Sequence, residues 1–376
     1  WIKMGIVSTG ADQAIMGAAQ DGSNSDDLYI HTGRLNFSGY YGSTQYQVRT
    51  TAKYVDTFGW YHHVIRFDTT QSTASDRVRL YVNGELITNL ANNTYPSQNL
   101  ETTYFNTARL HTIGSIAHSA PNLPFNGSMS HFHFCDGYSY GADSFGETDS
   151  TTGEWKIKSS PSVSYGTNGF FILKDGNSVT DQSGQGNNWS VGGGTLTKTE
   201  DCPSDVFCTY NPLQQTNGNT SFTNGNTYFY NSTQWLGVNG TIAATSGKYY
   251  AEFKVTGNTG WGVGVADVDS DANRTDLLSS ANNGYQSKYT GGKQIFLNGS
   301  TIVAQENNST VVNNAGMGNT GFAANDIVMV ALDLDNNNLF FGKNGTWLRG
   351  ATESEIEAGT STNATFSGTS FNDKFW

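Results

Sequence analysis

Asp267, Asp269 and Asp271 recur at alternate positions and are followed by Asn273, the most regular run of oxygen ligands in the chain. Calcium accepts oxygen ligands in flexible geometry, so the segment is a candidate calcium site, with Asp335 as a weaker alternative ligand. Two positions depart from a complete calcium loop. Ala272 stands where a sharp turn wants Gly, and Leu278 stands where a closing bidentate Glu belongs. The plainer reading of GVGVADVDSD is a strand running out into an acidic loop, and no other cofactor is implied. Histidines offer less. His131 and His133 alternate, so on a strand they share a face and can ligate one metal together, but no Cys or His spacing supplies the further ligands zinc needs. They and the pair His62-His63 read most simply as polar residues on a solvated sheet face, and His31, His111 and His118 form no constellation. Tyr40, Tyr41, Tyr138, Tyr140, Tyr285 and Tyr289 flank Gly and Ser in expected loops. Aromatic rings beside hydroxyl and amide groups stack on the C–H faces of sugars, which makes these tyrosines candidate glycan contacts. The plain alternative is that they cap the ends of a β-structure.

The elements that must position these groups are almost all strands. VRLYV at 78–82 sets Val78, Leu80 and Val82 opposite Arg79 and Tyr81, and Asn83-Gly84 follows as a hairpin turn that needs positive φ. WYHHVIRF (60–67), SHFHFCDG (130–137) and KYYAEFKV (248–255) read the same way. IVMVALDL (327–334) is apolar on both faces, as a central strand would be, and turns through Asn336-Asn337-Asn338 into Leu339-Phe340-Phe341 before a second turn at Asn344-Gly345. One helix is expected at 352–358, where Thr352 and Glu355 have capping-box spacing and Gly359 ends the run.

Composition agrees. Gly contributes 44 of 376 residues, aromatics are 13% and charged residues only 14%, which suits many short strands joined by tight turns. The net charge of −12 argues against nucleic acid, which needs a basic face. No run approaches ~18 consecutive apolar residues, so no membrane insertion is expected. Trp1-Ile2-Lys3-Met4 begins abruptly, and the start of the polypeptide is expected upstream. Three cysteines are too few for a disulfide framework: Cys135 reads as a small buried residue, while Cys202 and Cys208 are spaced so that a local bridge stays open as an alternative. Length favours two domains, because a single core stops growing near ~250–300 residues. The polar segment DQSGQGNNWSVGGGTLTKTEDCPSD (181–205) marks the break, although Trp155, Phe170, Phe171 and Trp189 are poor linker residues and allow this stretch to pack on the first domain.

WYHHVIRFDTT, SDRVRLYVNGELI, HTIGS at 111–115 and NGSMSHFHFCDG at 126–137 follow one another in the order of the laminin-G-like, concanavalin-type jelly roll, which this part of the chain resembles. SFGETDSTTGEWKIK, YGTNGFF, DQSGQGNNW and DCPSDVFCTYNPL are similar to the continuation seen in structural proteins of marine bacteriophages. SGKYYAEFKV, GWGVGVAD, GYQSKYTGGKQIFLNGS and DIVMVALDLDNNNLFFGKNGTW resemble a SPRY domain. The first likeness departs at its front. Such a jelly roll has one or two strands before Trp1-Ile2-Lys3-Met4 that pair with the late strand at 128–135, so an edge is expected to stay open or to be filled by another chain. Residues 351–376 run beyond the usual SPRY end.

The concanavalin-type architecture also hosts glucanases, which carry Glu-x-Asp-x-x-Glu on one strand. Glu147-Thr148-Asp149 is the nearest string, but Thr152 replaces the second Glu, Glu154 is off register, and the stretch reads as a loop. No GxSxG or P-loop occurs. The expectation is therefore all-β: two antiparallel β-sandwiches, a laminin-G-like jelly roll with a C-terminal extension over 1–215 and a SPRY-like sandwich over 216–376. The resemblance implies a non-catalytic structural protein of a tailed phage (fibre, appendage or capsid decoration) at the virion surface. Its partners would be other virion proteins and host-surface or environmental glycans, and the open edge suggests a homo-oligomer such as a trimer. The alternatives are a secreted or cell-surface adhesin of a marine microbe and a carbohydrate-active enzyme.

Overall fold

The computed structural model describes residues 1–5, 12–57, 59–117, 121–151, 153–174, 176, 178–212, 221–230, 238–257, 260–267, 292–298, 301–306, 309–318, 321–368 and 374–375. They form two compact units, Trp1–Phe207 with Phe222–Tyr228, and Cys208–Ser221 with Phe229–Trp376.

In the first unit, strict alternation builds a six-stranded antiparallel sheet. Its order is His111–Ile113, Gln13–Asp21, Asn24–His31, Arg34–Tyr41, Thr44–Thr50 and Leu90–Thr94. Ile30, Leu35, Phe37, Tyr46 and Val48 point inward, each no more than 5% exposed. They meet Ile2, Met4, Val78, Leu80 and Val82 from the opposing strands, so the core lies between two layers. Val78–Val82 is the strand expected, with alternate residues buried, paired between His63–Phe67 and Glu85–Leu86. The Asn83-Gly84 turn has φ of 48° and 86°. Gly84 is required twice over, since a Cβ there would also lie 2.5 Å from the Trp155 ring.

The late strand of the first unit finds partners within the chain. Ile2–Met4 pairs with Gly127–Met129, and Phe132–Phe134 pairs with Phe170–Ile172. Phe170, Phe171 and Ile172 are 4%, 5% and 2% exposed, so the stretch after residue 140 belongs to the first unit's core. A buried ion pair fastens it: Lys3 Nζ lies 2.8 Å from Asp201 Oδ2, with the two side chains 2% and 3% exposed. Trp60 Nε1 and the Phe207 amide also donate to Asp201. A four-residue helical turn at Ala74–Arg77 adds to the expected helix.

The second unit is a sandwich of its own. One sheet runs Ala243–Ala244, Lys374–Phe375, Trp261–Asp267, Lys293–Asn298, Thr301–Glu306 and Ser309–Val312; the other runs Lys248–Lys254, Ile327–Asp333, Asn338–Lys343 and Thr346–Trp347, with Phe366–Ser367 also on Asn338–Lys343. Ile295, Ile302 and Ala304 face Val328, Val330, Leu339 and Phe341 across the core. Ile327–Asp333 is central and buried on both faces, as its sequence implies. The helix Glu353–Ala358 has the reciprocal Thr352–Glu355 capping box and ends at Gly359 with φ of 73°. The architecture is all-β.

All three cysteines are free thiols, so Cys202 and Cys208 are not bridged. Cys202 instead exchanges backbone hydrogen bonds with Asp205 in a tight turn. Cys135 is half-buried, and burial pushes its thiol up to about 11.

Candidate functional site: a polar groove on the outer sheet face

The alternation that sends Leu28, Ile30, Leu35, Phe37, Tyr46 and Val48 inward sends polar residues to the other face of the same sheet. Register places them side by side: Ser25 opposite Tyr40, Asp27 opposite Ser38, and Ser38 opposite Gln47. With Tyr29, Thr44 and the Gly22-Ser23 turn they line a groove of about 290 Å³. Small residues keep its flank low. Gly17 sits opposite Asp27 and Ala19 opposite Ser25, and Ile116 covers that side, lying where a Cβ on Gly17 would be.

Asp27 dominates the electrostatics. Ser25 Oγ donates to Asp27 Oδ2, whereas Oδ1 is buried with no hydrogen-bond partner among the described residues. Burial pushes this carboxyl up to about 7; the Ser25 hydroxyl works against the rise and the adjacent Asp26 charge adds to it. A buried carboxylate oxygen left unsatisfied costs stability and calls for an explanation. Around it, Asn36 Nδ2 donates to Ser38 Oγ at 3.1 Å, and Arg49 Nε donates to Asn36 Oδ1 at 2.9 Å. Among the described residues, none lining the groove carries a positive charge.

The neighbouring Asp26 has the opposite character. It points inward, is 0% exposed, and accepts from Tyr41 Oη (2.6 Å), Tyr46 Oη (2.8 Å) and the amides of Tyr104 (2.7 Å) and Phe105 (3.0 Å). It staples the segment after residue 100 to the sheet.

The candidate tyrosines part company on this geometry. Tyr40 lies at the end of a strand rather than in a loop, lines the groove, and is 40% exposed. Tyr41 is turned to the other side by the alternation and commits its hydroxyl to Asp26. Tyr138, 50% exposed, stacks on Tyr140 with ring centroids 6.0 Å apart, and Tyr140 Oη accepts from the Ser164 amide; neither lines the groove. Tyr285, Tyr289, Asp269 and Asp271 lie outside the described residues, as does the side chain of Asp267. Asp335 accepts from the Gly247 amide.

The histidines are not on a solvated face. His62 is 4% exposed, stacks on Trp1 with centroids 4.5 Å apart and accepts from Trp155 Nε1; burial drives its pKa down to about 2. His133 stacks on Phe171 at 3.9 Å, and burial likewise lowers it to about 2. His131 has φ of 48°, which breaks the alternation before the strand begins, so the two rings are not alternate strand residues. Among the described residues no group of three or more His, Cys, Asp or Glu side chains is placed to hold a metal. Glu147 and Asp149 also depart from expectation. Gly146–Thr148 is a strand paired with Trp155–Ile157, and both carboxylates face lysines, Asp149 Oδ2 at 2.6 Å from Lys156 Nζ and Glu147 Oε2 at 3.9 Å from Lys158 Nζ.

Ser25, Asp27, Tyr29, Ser38 and Gln47 escape a search for motifs because each belongs to a different short string. The signal that finds them is period-two polarity repeated over three consecutive strands, in SDDLYIH, RLNFSGYY and TQYQVRT.

Comparison with known proteins follows the two-unit division. Residues 1–138 match the family described as the concanavalin A-like lectin/glucanases superfamily, of laminin-G type, and residues 248–371 match the SPRY domain. No match is found among curated proteins. Among solved structures, the PSpry domain of TRIM65 is 13% identical, with 45% of this chain and 83% of that one covered and a TM-score of 0.30. Domains LG4-5 of the mouse laminin alpha1 chain are 10% identical, with 100% and 72% covered and a TM-score of 0.27. Laminin-G-like domains generally bind carbohydrate or protein partners. The chain is thus similar to a laminin-G-like, concanavalin-type domain over residues 1–138 and to a SPRY domain over residues 248–371.

Proposed function

We propose that this protein is a non-catalytic adhesion component of a tailed-phage particle (fibre, appendage or capsid decoration) that grips a glycan through the outer sheet face of its first unit. The observation that carries the binding role is the groove itself. Hydroxyl, amide and carboxyl groups of Ser25, Asp27, Ser38 and Gln47 converge beside the exposed ring of Tyr40, which is the mixture of polar partners and aromatic surface that a sugar needs. The virion assignment is supported by the likeness of the segments from SFGETDS to CTYNPL to phage structural proteins. A cleft of this size holds a saccharide weakly, so attachment depends on many copies acting together.

Two measurements test the proposal. A glycan array run alongside a reducing-sugar assay is expected to show binding without sugar release, with binding lost in Tyr40→Ala. Release of reducing ends would favour a carbohydrate-active enzyme. Mass spectrometry of purified particles is expected to find the chain in the virion, and its presence only on a cell surface would favour a microbial adhesin.

A further inference from the structure

We infer that the groove selects an uncharged saccharide, whose hydroxyls donate to the Ser25 oxygen beside Asp27, and turns away anionic glycans; the inference rests on reading the groove as a glycan site. The acceptor is already set. Ser25 spends its hydroxyl proton on Asp27 Oδ2, so its oxygen presents lone pairs rather than a donor, and Asp27 Oδ1 has no partner among the described residues. A sugar hydroxyl supplies a donor to the Ser25 oxygen, while Asp27 Oδ1, sealed beside Gly17 and Ile116, stays out of a ligand's reach and leaves Asp27 to act through its charge. A uronate or sulfate brings a second negative charge beside Asp27 with no cation among the described lining residues to answer it. Arg49 lies two positions beyond Gln47 on the same face, but its guanidinium is engaged by Asn36 Oδ1 and Tyr29. The volume of about 290 Å³ stands at the small end of ligand sites, so the unit recognised is one or two sugar rings of a longer chain.

The stability of the fold gives the test a second readout. Burying Asp27 with an unsatisfied oxygen burdens the native state, so Asp27→Asn is expected to raise the melting temperature at pH 8 while weakening binding. A residue kept only for packing would move both in the same direction.

The experiment uses the full chain and titrates it, by ligand-observed NMR at pH 8, with neutral gluco-, galacto- and manno-oligosaccharides and with oligouronates of the same length. Neutral sugars are expected to bind at least about tenfold more tightly than uronates, and Asp27→Asn to lose about tenfold of that affinity. Uronates binding as well as neutral sugars, or unchanged neutral binding in Asp27→Asn, would overturn the inference while leaving the glycan reading intact, provided Tyr40→Ala still abolishes the signal. No binding of any sugar by the wild type, with Tyr40→Ala indistinguishable from it, would remove the glycan reading and this inference together.

Discussion

Replacing Asp201 with Ala is expected to unfasten the first unit. Asp201 faces Lys3 across 198 residues of chain, both side chains are essentially sealed from water, and their charged atoms are 2.8 Å apart. Removing one partner of such a pair costs about 3–5 kcal/mol, because the remaining charge stays in a low-dielectric interior. Trp60 Nε1, at 3.2 Å, and the Phe207 amide, at 3.0 Å, lose their acceptor in the same substitution. With a urea m-value near ~3 kcal/mol/M for a unit of this size, the unfolding midpoint should fall by roughly 1–1.7 M. Tryptophan fluorescence reports the transition, since Trp60 sits at the mutated contact. A double replacement, Lys3→Met with Asp201→Leu, should recover most of the loss, because buried pairs exchanged for apolar residues of similar volume are often neutral. A midpoint unchanged by Asp201→Ala would mean that the chain beyond residue 140 is not fastened to the first unit's core by this pair.

Three further expectations follow from named contacts. Gly84→Ala should cost roughly 2–3 kcal/mol, from an L-residue at φ of 86° and from displacement of the Trp155 ring; a melting-temperature change under a degree would contradict the turn geometry. Asp27 makes stability fall with rising pH. Its folded-state value, about 7, lies above the ordinary carboxyl value of 3.8, so its contribution is complete below pH 3.8 and is lost as pH climbs through 7. At ~1.4 kcal/mol per unit this amounts to on the order of 3–5 kcal/mol, so the stability advantage of Asp27→Asn should grow between pH 5 and pH 8, and parallel curves would refute the assignment. Adding EDTA should leave the melting temperature of the second unit unchanged, because Ala272 and Leu278 depart from the calcium-ligand pattern that begins at Asp267; a drop would establish calcium there.

Local pattern was legible, and pairing between distant segments was not. The hairpin Val78–Val82 with its Asn83-Gly84 turn, the central strand Ile327–Asp333 and the capped helix Glu353–Ala358 are each written within a dozen residues. The pairing of the jelly roll's late strand is not, since Phe170–Ile172 meets Phe132–Phe134 only through tertiary contact, and nothing near Lys3 announces Asp201. Adjacent residues misled in the same way. Tyr40 and Tyr41 look equivalent in sequence, yet strand alternation puts one in the groove and the other on Asp26. Histidine identity suggested solvent, while burial against Trp1, Trp155 and Phe171 decided otherwise.

The most direct test of the binding account is a crystal structure of the full chain with the best neutral oligosaccharide from the array. The account predicts a sugar ring against Tyr40, with hydroxyls on Ser25 and Gln47. Sugar bound at Tyr138 and Tyr140, or anywhere else with the groove left open, would contradict it.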